Sequence, residues 1–271
     1  MCGIIGFTGP KNLETLLNMN LIQHHRGPDE DGTYIDESGM VNLAMKRLSI
    51  VDILEGHQPM CNDDEQIWIV FNGEIFNAPE LRKRLIKKGY KFRTDHSDTE
   101  VLIYMYLEYE SAMLDQLNGM FAFVIYDKKK NKLFGSRDRF GIKPFYYSLT
   151  GNRFSFASEM KSLIICPWIS SEIDIQATYD FFTFQVTPAP HSIFKSIKKL
   201  PSGNYFDYDL GLKKFTTGVY WKPSFSNVVV KRSELTDFKS SIKKTFLEAV
   251  GRWSQSDVEV GCSYRRYDSL I

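Results

Sequence analysis

Four cysteines in 271 residues are few: Cys2, Cys61, Cys166 and Cys262 are scattered and form no C-x-x-C pair. That excludes a disulfide framework and fits a reducing, cytoplasmic home. The five histidines (His24, His25, His57, His96, His191) show no zinc spacing with those cysteines, so no metal is expected. Charge of either sign is not in excess. A formal net of +1 leaves no field to hold nucleic acid or an anionic membrane, so neither is expected as a partner. No apolar run reaches the ~18 residues of a membrane span. No basic segment followed by an apolar stretch marks a signal peptide.

What the chain does have is apolar and aromatic residues, 43% and 14% of the total, enough to bury a core in one large or two modest domains. "CGIIGFTG" reads as a strand ending at a Gly-Pro turn. Leu13, Leu16, Leu17 and Leu21 recur at helical spacing. "TYIDESGMVNLAMKRLSIVDI" reads as two strands around Glu37-Ser38-Gly39, and "QIWIVFNGEIFN" as a strand, a turn and a second strand. "APELRKRLIKKGY" is a short amphipathic helix stopped by Gly89, and "DTEVLIYMYLEYESAMLDQL" a longer one. "GMFAFVIYDKKKNKLFGSRD" is a hairpin around a Lys-Lys-Lys-Asn turn. "RFSFASEMKSL" adds a strand and a helical turn. Strands outnumber helices and run in hairpins, which predicts packed antiparallel sheets covered by helices.

Five prolines, at 167, 188, 190, 201 and 223, mark residues 167 to 230 as linkers and short edge strands. Leu235, Phe238, Ile242, Phe246 and Val250 then step by three and four, an amphipathic helix. "VEVGCS" reads as the first strand of something new, which stops within a few residues. The expected division is therefore 2–205 for the first domain, 206–232 for linker and edge strands, and 233–271 for the start of a second domain.

The chemical question lies at the second residue. Removal of the initiator methionine before a small residue would leave Cys2 with a thiol and a free α-amine on one residue. Their ordinary pKa values, ~8.5 and ~8, let the amine serve as a base for the thiol. The plainer alternative is a small buried apolar cysteine. In "FNGEIFN", Asn-Gly is a leading hairpin signal. Equally, the Asn72 amide and the Gly73 N–H could face a developing oxyanion. Arg47, in "KRLSIVD", sits in an apolar strand, either at an edge with its head in solvent or as a fork for a carboxylate. Asp98, in "HSDTE", begins a helix, as a capping residue or as the partner of an ammonium.

Together these stretches resemble the class II glutamine amidotransferase domain, whose nucleophile is an N-terminal cysteine. "MCGIIGF", "HHRGPDEDG", "RLSIVD", "FNGEIFN", "SDTEV", "LNGMFAFVIYD" and "RDRFGIKPFYY" fall in the family's order across about residues 2–160. "FNGEIFN" and "DRFGIKPFYY" look like the asparagine synthetase branch. The resemblance implies an α+β fold, a four-layer αββα sandwich of two antiparallel sheets of the N-terminal nucleophile type. It implies attack by Cys2 on the glutamine side-chain amide, an oxyanion held by Asn72 and Gly73, and proton transfer by the Cys2 amine. Arg47 would bind the glutamine carboxylate, and Asp98 with Glu74 its ammonium. The backbone of Leu48, Ser49, Ile50 and Val51 would line the pocket. No cofactor is implied for this half.

The family's second domain is an α/β ATP-pyrophosphatase that uses ATP and Mg and carries a Ser-Gly-Gly-x-Asp-Ser phosphate loop. Here Asp268 and Ser269 match the loop's end, whereas Tyr264-Arg265-Arg266 stand in place of the glycines. Arginine side chains cannot replace the backbone turn that glycine allows. The expectation is a degenerate, truncated remnant, produced by a disturbed reading frame near residue 264. Such a chain releases glutamate and ammonia but makes no asparagine alone, and it would need a synthetase domain or subunit in trans. Two alternatives stay open: an amidotransferase of the same branch acting on a sugar or peptide acceptor, and an inactive chain that only binds a partner.

Overall fold

The computed structural model describes residues 1–225 and 231–261. In chain order the elements are β1 (Gly3–Thr8), α1 (Leu13–Leu21), β2 (Glu30–Ile35), β3 (Val41–Arg47), β4 (Met60–Cys61), β5 (Ile67–Ile75), α2 (Ala78–Lys87) and α3 (Asp98–Tyr109). There follow β6 (Gly119–Asp127), β7 (Lys132–Arg137), β8 (Tyr146–Thr150), β9 (Arg153–Ala157), α4 (Met160–Ile164) and α5 (Ile175–Phe184). The last are β10 (Lys198–Lys199), β11 (Asn204–Asp209), β12 (Lys214–Val219) and α6 (Leu235–Trp253).

The strands form two antiparallel sheets, in the orders β10-β8-β9-β1-β3-β2 and β12-β11-β7-β6-β5-β4. Strand periodicity decides how they stack, because alternate side chains point to opposite faces. Ile4 of β1 and Val41, Leu43 and Met45 of β3 meet Val70 of β5 and Ala122 and Val124 of β6, which makes the core between the sheets. The opposite face of β1, Ile5 and Phe7, packs on Leu16 and Met19 of α1 and Leu163 of α4. The opposite face of β5, including Ile69 and Phe71, packs under α2 and α3. The result is the expected αββα sandwich.

Three local readings change. Asn72-Gly73 is not a hairpin turn: β5 runs unbroken from Ile67 to Ile75 and pairs with β6 throughout. The turn signal is overridden because β-branched and aromatic residues on both sides are buried against a full-length partner strand. On α1, only Leu16 of the four stripe leucines is buried; Thr15, Met19 and Asn20 complete the covered face, and Leu13, Leu17 and Leu21 are exposed. Residues 258–261 form no strand.

The stretch expected to hold linker and edge strands contributes β11 and β12, which extend the second sheet beyond β7. Helix α6 forms where the apolar spacing placed it, but Leu235, Phe238, Ile242, Phe246 and Val250 are all exposed. The ATP-loop residues Asp268 and Ser269, with Cys262 and the 264–266 segment, lie outside the described residues.

Candidate active site

Continuity of β5 is what builds the site. Val70 faces the inter-sheet core, so Asn72 and Glu74 follow on that same inner face. On β3, Val41, Leu43 and Met45 face inward and Arg47 continues the series. Cys2, one step before β1, packs against the same core as Ile4. Strands from both sheets therefore bring their inner faces to one end of the sandwich. There they enclose a cleft of about 550 Å³, part of it open to solvent.

Cys2, Arg47, Leu48, Ile50, Val51, Asn72, Gly73, Glu74 and Asp98 all line this cleft. Ser49 does not. Its backbone N–H donates to Asp29 Oδ2 at 2.9 Å, which turns this residue away while its neighbours stay on the wall. Gln58, Thr99 and Lys143 line it as well.

The Cys2 sulfur faces the Leu48 backbone, 3.4 Å from its N–H nitrogen and 3.7 Å from its carbonyl oxygen. Arg26 Nε donates to the Cys2 carbonyl at 2.9 Å and Arg26 Nη1 to Glu159 at 3.0 Å, which ties down the chain start. Burial pushes the Cys2 thiol up; the Leu48 N–H, the chain's α-amine, Arg47 and Lys143 pull it back. Met1 precedes Cys2 and is exposed, and burial holds its amine below the ordinary value.

Asn72 is 1% exposed, and among the described residues its side-chain Nδ2 is buried without a hydrogen-bond partner. A buried donor left unpaired costs about 1–3 kcal/mol, so this atom, on a residue that lines the cleft, is available to whatever the cleft holds. Gly73 has a structural reason of its own. A Cβ there would stand 2.2 Å from the Met120 carbonyl oxygen and 2.7 Å from Phe121 Cα.

Glu74 and Asp98 are two carboxylates in one cleft. Burial first, then the Asp98 charge, pushes Glu74 up to about 7, with Lys143 opposing. Burial pushes Asp98 up to about 6 against backbone N–H donors that include Ile75. The Ile75 N–H donates to Asp98 Oδ2 at 3.0 Å, so the first residue of α3 is tied to the end of β5. Neither carboxylate is in an ion pair among the described residues. In the empty cleft the charged form of both is therefore disfavoured.

Arg47 is not an edge residue with its head in solvent: it is 4% exposed. Its Nη1 donates to Glu30 at 2.9 Å and to the Ile53 carbonyl at 3.2 Å. Its Nη2 donates to the carbonyls of Val51 at 3.2 Å and Asp52 at 2.6 Å. The guanidinium thereby folds the 51–53 loop around the cleft, and among the described residues only its Nε–H carries no partner.

Three contributors were not singled out from the sequence. Gln58 accepts from the Phe71 N–H at 2.7 Å and donates to Thr99 at 3.1 Å, joining β5 to α3 beside the cleft. Arg26 fixes the Cys2 backbone. Lys143 brings a buried cation from the loop after β7. Only Lys143 left a trace, as a lysine set between apolar residues in "FGIKPFYY".

Comparison with known proteins bears on the family and the fold. Residues 1–221 match the family model of the glutamine amidotransferase domain. The chain is 39% identical over 272 residues to asparagine synthetase (glutamine-hydrolyzing) 1 of Bacillus subtilis (strain 168), covering 96% of this chain and 41% of that protein. It is 35% identical over 285 residues to putative asparagine synthetase (glutamine-hydrolyzing) 2 of Methanocaldococcus jannaschii, covering 96% and 54%. The chain thus spans about half the length of these relatives. Among solved structures, the B. subtilis glutamine phosphoribosylpyrophosphate amidotransferase complexed with ADP and GMP aligns with a TM-score of 0.57 at 18% identity, over 82% of this chain and 50% of that one. That likeness concerns the fold alone.

Proposed function

Because the chain belongs to the glutamine amidotransferase domain family, we propose that its cleft hydrolyses the side-chain amide of glutamine to glutamate and ammonia, with Cys2 as nucleophile. The observation that carries this reading is the buried Asn72 amide, unpartnered among the described residues, lining the same cleft as the Cys2 thiol.

Removal of the exposed Met1 leaves the α-amine on Cys2. That amine takes the thiol proton as sulfur attacks the amide carbon. The carbonyl oxygen becomes an oxyanion and meets Asn72 Nδ2–H and the Gly73 N–H. The C–N bond then breaks, the departing nitrogen takes the proton from the amine, and ammonia leaves a glutamyl thioester. Water attacks the thioester, the C–S bond breaks, and glutamate leaves with the thiol restored.

Positioning follows from charge. Glu74 and Asp98 meet the glutamine ammonium, and this relieves their mutual repulsion. The glutamine carboxylate meets the Arg47 guanidinium through its remaining N–H. Leu48, Ile50 and Val51 form the wall between the two ends. We infer that the ammonia serves asparagine synthesis, the activity in the names of the curated relatives, in company with a synthetase domain or subunit. ATP and Mg would act only there. Asp268 and Ser269, the residues proposed to meet them, lie outside the described residues, so no step here runs through them.

Glutamate release from glutamine by the purified Met1-free chain, beside Cys2→Ala, tests the reading. Release that is lost in C2A supports it. Equal release by both proteins, or none from the folded wild-type chain, overturns it.

A further inference from the structure

Lys143 is 5% exposed and lines the cleft with Cys2, Asn72 and Glu74. Among the described residues its ammonium makes neither an ion pair nor a hydrogen bond. A buried charge without a partner is costly unless something else uses it.

The loop that carries Lys143 is held unusually firmly. Asp138 is 1% exposed, and its carboxylate accepts from the N–H groups of Phe140 at 3.1 Å, Ile142 at 2.9 Å and Lys143 at 2.9 Å. Arg137 Nε donates to the Lys143 carbonyl at 2.7 Å, and Arg137 Nη2 to the Gly141 carbonyl at 2.7 Å. A buried carboxylate and a half-buried guanidinium of opposite charge thus clamp one short loop.

We propose that Lys143 is a positioning residue for the thiol chemistry, acting through Cys2 as the fixed cation that favours the thiolate over the thiol. This rests on the reading of Cys2 as the nucleophile. The cations that act on the sulfur are the α-amine, Arg47 and Lys143; Arg26 and Asp29 act on the α-amine, Arg26 and Glu74 on Lys143, and Asp98 on Glu74. Arg47 and Arg26 are each partly engaged, by Glu30, Glu159 and backbone carbonyls, with Arg47 Nε and Arg26 Nη2 left over among the described residues. Lys143 is the side-chain cation of this set with no such commitment. Burial holds the Lys143 ammonium below its ordinary value, with Arg26 adding to this and Cys2, Glu74 and Asp138 opposing it; in turn Lys143, after the α-amine and Arg47, draws the thiol down against its burial. Its charge would also favour the neutral, base-competent form of the neighbouring α-amine.

The test is the pH dependence of Cys2 alkylation by iodoacetamide in the Met1-free full chain, read as the mass of the N-terminal peptide. It needs no glutamine turnover. Lys143→Met should move the midpoint up by about one pH unit, a roughly tenfold smaller thiolate fraction near neutrality. Lys143→Arg should return it. In glutamate release, K143M should lower kcat about tenfold with KM within about twofold. If K143M fails to fold, Lys143→Gln carries the same comparison. An unchanged midpoint in a folded, neutral variant overturns the proposal and leaves the Cys2 reading standing. Absent glutamate release in wild type, with the midpoint still moved, overturns the glutaminase reading instead.

Discussion

Glutamic acid 74 should weaken the empty protein and strengthen the occupied one. Its carboxyl rises from an ordinary 4.5 to about 7 through burial and the nearby Asp98 charge. A rise of this size corresponds to roughly 3 kcal/mol between the two protonation states. Glu74 is only half-buried, and solvent screening reduces the cost to about 1–2 kcal/mol. The sign follows from proton binding. Between pH 4.5 and about 7 the folded chain holds a proton here that the unfolded chain has lost, so stability falls as pH rises through that window. Glu74→Gln removes the charge at similar volume. At pH 8 the variant should melt about 2–6 °C above wild type, a gap that closes towards pH 4.5. Saturating glutamine should reverse the order, because the ligand's ammonium neutralises the wild-type pair and stabilises by mass action. Scanning calorimetry of both proteins, with and without glutamine, is the assay. A variant that melts at or below wild type at pH 8 without ligand would refute the reasoning.

Other perturbations follow from the same geometry. Asn72→Ala should cost about a hundred- to a thousandfold in kcat, with Cys2 alkylation unchanged, because it removes an oxyanion donor and not the thiol; a loss under tenfold would remove Asn72 from that role. Gly73→Ala should destabilise by about 1–3 kcal/mol, since its Cβ meets the β6 backbone, and a denaturation midpoint equal to wild type would contradict this. His96 Nε2 meets Asp257 Oδ2 at 2.7 Å, and the Asp257 N–H donates to the Ile50 carbonyl at 3.0 Å, so the segment after α6 is fastened to the cleft loop. Asp257 raises His96, and His96 lowers Asp257. The His96 contribution is present below its unfolded value near 6.5 and is lost as pH rises through the higher folded value. The Asp257 contribution is present above its unfolded value near 3.8 and is lost as pH falls through the lower folded one. Proteolysis near residue 257 should therefore be faster at pH 8 than at pH 6, and equal rates would refute the contact.

Much of this site is legible in the amino-acid sequence, for reasons that differ by residue. Cys2 announces itself by position, since few termini are apolar and carry a thiol. Asn72 and Glu74 are nameable from "FNGEIF", but the local signal there argues for a turn. Only the buried pairing of β5 with β6, a long-range contact that propensity cannot see, keeps both on one face. Arg47 is identifiable as an odd charge in a strand; its commitment to Glu30 and three carbonyls depends on a loop path that no periodicity encodes. Arg26 and Gln58 stay hidden for the same reason, and Lys143 shows only as a lysine among apolar residues, because each acts through the fold of a loop. The leucines of α1 mislead because helical spacing records what could be covered, and the sheet covers only one narrow side.

The most direct test of the central claim is to look for the acyl group. The Met1-free chain would be mixed with glutamine, quenched in acid during turnover, and its peptides weighed. The expected result is an N-terminal peptide heavier by glutamine minus ammonia, carried at Cys2, and longer-lived in Asn72→Ala if water attack also uses that oxyanion site. Steady glutamate release with no acyl group on Cys2 under any quench, or an acyl group on another residue, would contradict it.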